Sequence, residues 1–231
     1  VSITAQAMHL CCEAGMAIVH CSMGHWFYGM TYGNTLRNAY DKAAQFAAAQ
    51  DPARRLALGR AFVTAKIMNQ RTLLRRNARP TPPHTLADLR SSVRHAEGAS
   101  GLEELLGIEG TAARAYFEAF AGMLRPPDGG FDFRFNERNR RPPRDPVNAL
   151  LSFGYAMLAK ECTVALTAVG LEPHWGFYHA PRHGRPALAL DLMEEFRPLV
   201  VDSAVVTAIN TGMVRGSDFT GSRSGCALKA P

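Results

Sequence analysis

The chain has no run of about 20 apolar residues, the length a helix needs to cross a bilayer. Charge, Gly or Pro breaks every apolar stretch, so no membrane span is expected. Residues 1–30 have no basic start and no clean apolar core, which argues against a secretory leader. The cysteines Cys11, Cys12, Cys21, Cys162 and Cys226 contain no C-x-x-C pair, and none stands at zinc-finger spacing from a His. An odd number without such a pattern reads as free thiols in a reducing compartment, and so as a cytoplasmic protein. There is no internal repeat. Position 1 is Val rather than Met, which predicts an N-terminus cut from a longer chain. An apolar share of 47% excludes disorder as the main state.

The 231 residues allow one large domain or a domain plus a fragment. The 26 Lys and Arg outnumber the 20 Asp and Glu by only six, but they are not evenly spread. Arg54, Arg55, Arg60, Lys66, Arg71, Arg75, Arg76 and Arg79 fall between Pro52 and Arg79 without one carboxylate. Exposed helix faces normally mix signs for i,i+4 pairing. A segregated basic stretch is instead the footprint of a polyanion partner, and nucleic acid is the leading reading.

Residues 1–33 read as a helix and a hairpin, too little for a domain, and so as the tail of a preceding β domain. The character changes at Asn34, a helix cap for a segment reaching about Gln50. Asp51-Pro52 restarts the chain as cap and first helical residue of a long basic helix ending near Arg76. A polar helix is expected over 85–97, then a short helix opened by Ser100 and Glu103 at capping-box spacing. A separate helix comes next, over Glu109–Leu124. Residues 125–146 form a Pro/Arg loop carrying Phe131, Phe133 and Phe135, with either base stacking or ordinary packing open to the three rings. A long helix runs from Pro146 to Val169, and His174–Pro186 is an aromatic loop. Ala187–Phe196 and Val200–Thr211 read as helices parted by Pro198, and the tail from Gly212 carries no clear element. The fold class is mainly α, with residues 34–231 all-helical.

Three places offer acid–base or metal chemistry. Glu109, between Gly107 and Gly110, reads equally as a helix-start carboxylate and as a ligand. His174, His179 and His183 fall within ten residues, but loop spacing constrains little, and only His179 stands as a single ligand candidate. Asp191 lies on one helix face with Glu194 and Glu195. That helix also carries Leu188, Leu190, Leu192, Met193 and Phe196, so its carboxylates are expected in a site. Carboxylates with one imidazole suit Mg²⁺ or Mn²⁺ better than zinc.

Longer motifs are more specific. They are Ala65-Lys66-Ile67-Met68-Asn69-Gln70-Arg71 with Leu73-Leu74-Arg75-Arg76, Gly107-Ile108-Glu109-Gly110-Thr111, and Asn139-Arg140-Arg141-Pro142-Pro143-Arg144-Asp145-Pro146. Gly176-Phe177-Tyr178-His179 and Leu190-Asp191-Leu192-Met193-Glu194-Glu195-Phe196-Arg197-Pro198 complete the series. In this order they resemble the CRISPR-associated spacer integrase family (Cas one) over residues 15–211. The resemblance implies an N-terminal β domain and a helical catalytic domain. It implies a divalent metal, Mg²⁺ or Mn²⁺, held by Glu109, His179 and Glu194, with Asp191 in support and Glu195 as a competitor. Many relatives carry Asp where this chain has Glu194. Most of the β domain and the last catalytic helices are missing from the pattern. The wording of 26–30 and 193–195 is similar to the branch fused to a Cas four-type exonuclease. A 4Fe-4S cluster belongs to such a preceding domain alone, because these cysteines cannot build one.

The implied reaction is insertion of a DNA fragment into a CRISPR array, the fragment's 3′-OH attacking a phosphodiester. Arg60, Lys66, Arg71, Arg75, Arg76, Arg138, Arg140, Arg141 and Arg144 are expected on DNA phosphates, and Asn148 and Ser152 toward the site. The resemblance implies a homodimer, the small CRISPR-associated partner Cas two, and a Cas four-type exonuclease. Two competing readings are a recombinase using Tyr155 or Tyr178 as nucleophile, and a non-catalytic DNA-binding scaffold.

Overall fold

The structure, a computed structural model, describes residues 2–22, 27–34, 39–80, 82–127, 133–139, 142–222 and 225–229. The described chain is mainly helical, as expected. It divides into two compact units, residues 1–55 with 159–191 and residues 56–158 with 192–231.

In the first unit the Thr4 hydroxyl accepts from Ala7 N at 3.2 Å and caps helix α1, Ala5–Glu13. Strands β1, Ile18–Cys21, and β2, Phe27–Thr31, pair antiparallel with Ile18 opposite Thr31. The expected helix and hairpin are therefore present. Helix α2 spans Ala39–Gln50; the residues joining it to Asn34 lie outside the described set. Asp51 Oδ1 accepts from Ala53 N at 2.9 Å and Arg54 N at 3.3 Å, and Pro52 begins α3, Pro52–Asn77. The loop after Gly170 is fastened to α2 by the buried Gln45. Its amide donates to Glu172 O and Trp175 O, both at 2.9 Å, and accepts from Glu172 N at 2.9 Å. Phe46 stacks edge-on against Trp175, and Arg55 Nε donates to Phe177 O at 3.0 Å.

In the second unit α3 buries Gly59, Val63, Lys66, Ile67, Gln70 and Leu74. This is a 3.6-period stripe, and two of its members are polar. Helix α4, Pro83–Gly98, packs on α5, Leu102–Phe120. The sequence reading separated a short helix from one starting at Glu109; α5 is continuous through both. Interior Gly costs about 1 kcal/mol, and burial of Leu105, Ala112, Tyr116 and Phe120 outweighs Gly107 and Gly110. The start is held by Glu104, not Glu103: Glu104 Oε2 accepts from Ser100 N and Ser100 Oγ, both at 2.7 Å.

Helix α6, Pro146–Ala168, is long and apolar enough to cross a bilayer, which the sequence reading did not anticipate. Its Val147, Asn148, Ala149, Leu151, Cys162 and Leu166 are buried inside the protein, and it carries a Lys160–Glu161 ion pair. Only part of it is buried, and Phe153 is exposed. Helix α7 spans Ala187–Phe196. Pro198 does not part α7 from the next helix: Arg197–Asp202 is a π-helical turn leading into α8, Ser203–Asn210. A wider turn absorbs the proline's missing N–H. The tail forms a second hairpin, β3, Phe219–Ser222, with β4, Gly225–Leu228, a correction to the all-helical expectation. It sets Phe219 edge-on against Phe133.

Candidate active site

The first unit fixes a histidine. Asp191, on α7, is fully buried. Its Oδ2 accepts from Phe177 N at 2.6 Å and Tyr178 N at 3.0 Å, and its Oδ1 accepts from His179 N at 2.8 Å. The same Oδ1 meets His179 Nδ1 at 2.8 Å. Gly176 permits this approach: a Cβ there would lie 2.8 Å from both Asp191 Oδ2 and the Ala187 carbonyl carbon. With the Nδ1 proton directed at the carboxylate, His179 Nε2 keeps its lone pair for an electrophile, as in metal-bound imidazoles. The other two histidines do not join it. His174 Nδ1 meets Glu172 Oε1 at 3.1 Å, and His183 is exposed, so no three-histidine cluster forms.

The second unit brings two carboxylates to one ammonium. Lys66 from α3 is 5% exposed and Glu194 from α7 is 2% exposed. Lys66 Nζ lies 2.6 Å from Glu194 Oε2 and also bridges to Glu109 Oε1 on α5. Glu194 Oε1 meets Arg197 at 3.0 Å. Glu109 stands in the interior of α5, so the helix-start reading is corrected. Glu195 is half-buried, and its backbone carbonyl accepts from Asn69 Nδ2 at 2.9 Å. Among the described residues no three His, Cys, Asp or Glu side chains gather as a ready metal-ligand set. Glu109 and Glu194 close on Lys66 instead.

Beside this pair lies a network the sequence reading missed. Asp202 is buried and accepts from Tyr116 Oη at 2.8 Å and Tyr155 Oη at 2.6 Å. Burial pushes its carboxyl up to about 6, against the lowering effect of both hydroxyls, Arg197 and Lys66. Burial and the Asp202 charge hold both phenols well above their ordinary range. Arg197 stacks on the Tyr155 ring at 4.9 Å and Arg138 at 5.5 Å. The Tyr155 hydroxyl is thus committed to Asp202, and Tyr178 is buried against the His179 ring. No spacing rule joins Tyr116 to Asp202 across 86 positions. The available signal was burial: three polar residues on mostly apolar helices.

The basic residues separate by environment. Arg75, Arg76 and Arg144 are exposed. Arg60 Nε donates to Ala99 O at 2.9 Å and Arg71 Nε to Leu86 O at 3.0 Å, and Lys66 is ion-paired in the core. Arg138 donates to Asn148 Oδ1 at 2.7 Å and Ser152 Oγ at 3.1 Å, so that i,i+4 pair does converge. Arg140, Arg141 and Phe131 lie outside the described residues. Phe133 and Phe135 are buried, Phe135 against Phe117 and Phe120; packing describes them, not base stacking.

Residues 1–231 match the family description "CRISPR associated protein Cas1". A Cas4/Cas1 exonuclease–endonuclease fusion from Geobacter sulfurreducens is 52% identical over 98% of this chain and 42% of its own length. A Cas1 endonuclease from Thermus thermophilus is 42% identical over 94% of this chain and 63% of its own. The chain thus spans less than two thirds of these relatives. A Cas1 structure from Thermotoga maritima superposes with a TM-score of 0.79 at 25% identity, over 100% of this chain and 72% of that one. A partial Cas6-RT-Cas1–Cas2 complex superposes at 0.83 with 28% identity, over 99% of this chain and 70% of that one. The chain belongs to the Cas1 family of CRISPR-associated proteins.

Proposed function

We propose that this chain is the catalytic part of a metal-dependent DNA integrase and endonuclease of CRISPR adaptation. It inserts prespacer DNA into a CRISPR array by 3′-OH transesterification. Residues 1–33 are then the end of an N-terminal β domain, and 34–231 the helical catalytic domain. Glu109, His179 and Glu194 would hold Mg²⁺ or Mn²⁺. The observation that carries this is the buried Glu194 and half-buried Glu109 closed together on one ammonium, a carboxylate pair arranged around positive charge. Two oxygen donors and one imidazole also match these ions chemically. The bound ion would act as a Lewis acid on the reacting phosphate.

The chain's own residues do the rest. Asp191 is a positioning residue that fixes the His179 ring through its Nδ1 proton. Arg197 pairs with the Glu194 carboxylate while its guanidinium lies on the Tyr155 ring. Exposed Arg75, Arg76 and Arg144, with Arg138, Arg140 and Arg141 of the Pro/Arg loop, would take DNA phosphates and orient the strand; such contacts carry no sequence information. Arg60, Lys66 and Arg71 join them on rearrangement.

The likeness to the Cas6-RT-Cas1–Cas2 complex supports the small Cas2 partner; a homodimer acting on prespacer and leader-repeat DNA belongs to the same proposal. The fusion relatives support a Cas4 exonuclease, fused or separate, which would bring any 4Fe-4S cluster. Free thiols support a cytoplasmic setting.

The test is joining of a 3′-OH fragment to a supercoiled plasmid bearing the repeat, by the full-length protein with Cas2. Product in Mn²⁺, none in EDTA and no covalent protein–DNA adduct on a denaturing gel is expected. An adduct that survives EDTA would reinstate the tyrosine route. Tight DNA binding with no product under any condition would leave a scaffold.

A further inference from the structure

We propose that Lys66 is the resident counter-cation of the Glu109–Glu194 pair, and that a divalent ion is held by these carboxylates only as the ammonium leaves them. The inference rests on the metal reading above and goes beyond it by making ion binding an exchange of cations.

Charge is the first argument. Glu109, Glu194, Lys66 and Arg197 sum to zero, and an ionised Asp202 makes the group −1. Adding a divalent ion with Lys66 in place leaves a buried +1 excess. Releasing Lys66 returns the group to neutrality, and buried charge is tolerated only when compensated.

Geometry is the second. Lys66 Nζ stands between the two carboxylates, where any shared cation must sit. Glu194 Oε2 is buried, and its one contact in the described structure is Lys66 Nζ at 2.6 Å. Departure of the ammonium therefore frees that oxygen for another cation.

The two cations also differ in mobility. Arg197 is fixed on the Tyr155 face at 4.9 Å while it holds Glu194 Oε1. Lys66 is a point charge on a flexible four-carbon stem. Lysine is therefore the member that leaves, and its position on the buried stripe of α3 keeps it in place until then.

The experiment is Mn²⁺ binding, monitored by loss of the free-ion EPR signal, for the wild type, Lys66→Met, Lys66→Arg and Glu109→Gln. Lys66→Met should bind Mn²⁺ more tightly, by about tenfold or more, because the competing charge is gone; Lys66→Arg should not. Equal or weaker binding by Lys66→Met overturns the exchange. A second measurement uses only the wild type, so folding of the variant does not enter. Lysines are acylated with an N-hydroxysuccinimide ester and counted by mass spectrometry against Lys42, whose side chain is 42% exposed. Lys66 should be protected in EDTA and labelled severalfold more in saturating Mn²⁺; unchanged labelling overturns the proposal. If the wild type and Glu109→Gln both bind no Mn²⁺, the metal reading itself falls, and the exchange with it. If Glu109→Gln abolishes wild-type binding but Lys66→Met gains nothing, the metal site stands and only the exchange falls.

Discussion

Asp191 and Glu194 stand one turn apart on the same helix and are 0% and 2% exposed, yet they are held in opposite ways. Asp191 accepts three backbone N–H groups and meets the His179 ring. Glu194 meets two cationic side chains and no backbone group in the described structure. Directional bonds to a backbone make a carboxylate part of the fold. Charge contacts to side chains leave it exchangeable. One helix thus carries a fixed support for an imidazole and a carboxylate free to change partners.

The largest way to break this contrast is Asp191→Ala. It leaves buried N–H groups of the 177–179 turn unpaired, at about 1–3 kcal/mol each. Thermal denaturation should show a loss of several kcal/mol that Mn²⁺ does not restore. Lys66→Met sharpens it from the other side. Removing one partner of a buried ion pair costs about 3–5 kcal/mol. Here the loss in EDTA should be largely recovered by Mn²⁺, and equal losses in both conditions would erase the contrast.

Asp202 is an intermediate case, held by two neutral hydroxyls. Its folded value of about 6 exceeds the ordinary 3.8, so the native state binds the extra proton. Its contribution to stability is therefore greatest below about pH 4 and falls as pH rises to about 6. Relative to Asp202→Asn, the wild type should lose stability between those limits and stay level above them. Chemical denaturation across pH 4 to 8 checks the sign; a wild type that gains on the variant over that range contradicts it. The smallest effect belongs to the exposed cations. Arg75→Ala with Arg76→Ala should weaken DNA binding uniformly across sequences and reduce the salt slope by about two. Thermal stability should stay within about 0.5 kcal/mol.

Elements whose signals are local were legible in the sequence. Pro186 and the apolar spacing mark α7 as Ala187–Phe196, and Asp51-Pro52 marks the start of α3. Interruptions were harder. Gly107, Gly110 and Pro198 each weaken a helix locally, but tertiary burial carries α5 through the glycines and a π-helical turn carries the chain past the proline. Glu109 was singled out by motif, while its place within the helix was misread. Lys66 was counted among eight cations on a DNA-facing helix, although its register with Val63, Ile67 and Leu74 puts it on the buried stripe. The Asp202–Tyr116–Tyr155 network depends on distant partners, and no window of sequence contains it; the Phe219–Leu228 hairpin is local, but its short Gly/Ser-rich strands carry little alternation to mark it.

The central claim is that Glu109 serves chemistry and not DNA holding. The direct measurement is Glu109→Gln in the strand-transfer assay, paired with DNA affinity of the same preparation. Glutamine keeps the shape and removes the charge. Joined product should fall by about a hundredfold or more, with DNA affinity essentially unchanged. Product at wild-type levels, or affinity that falls in step with product, would contradict the claim.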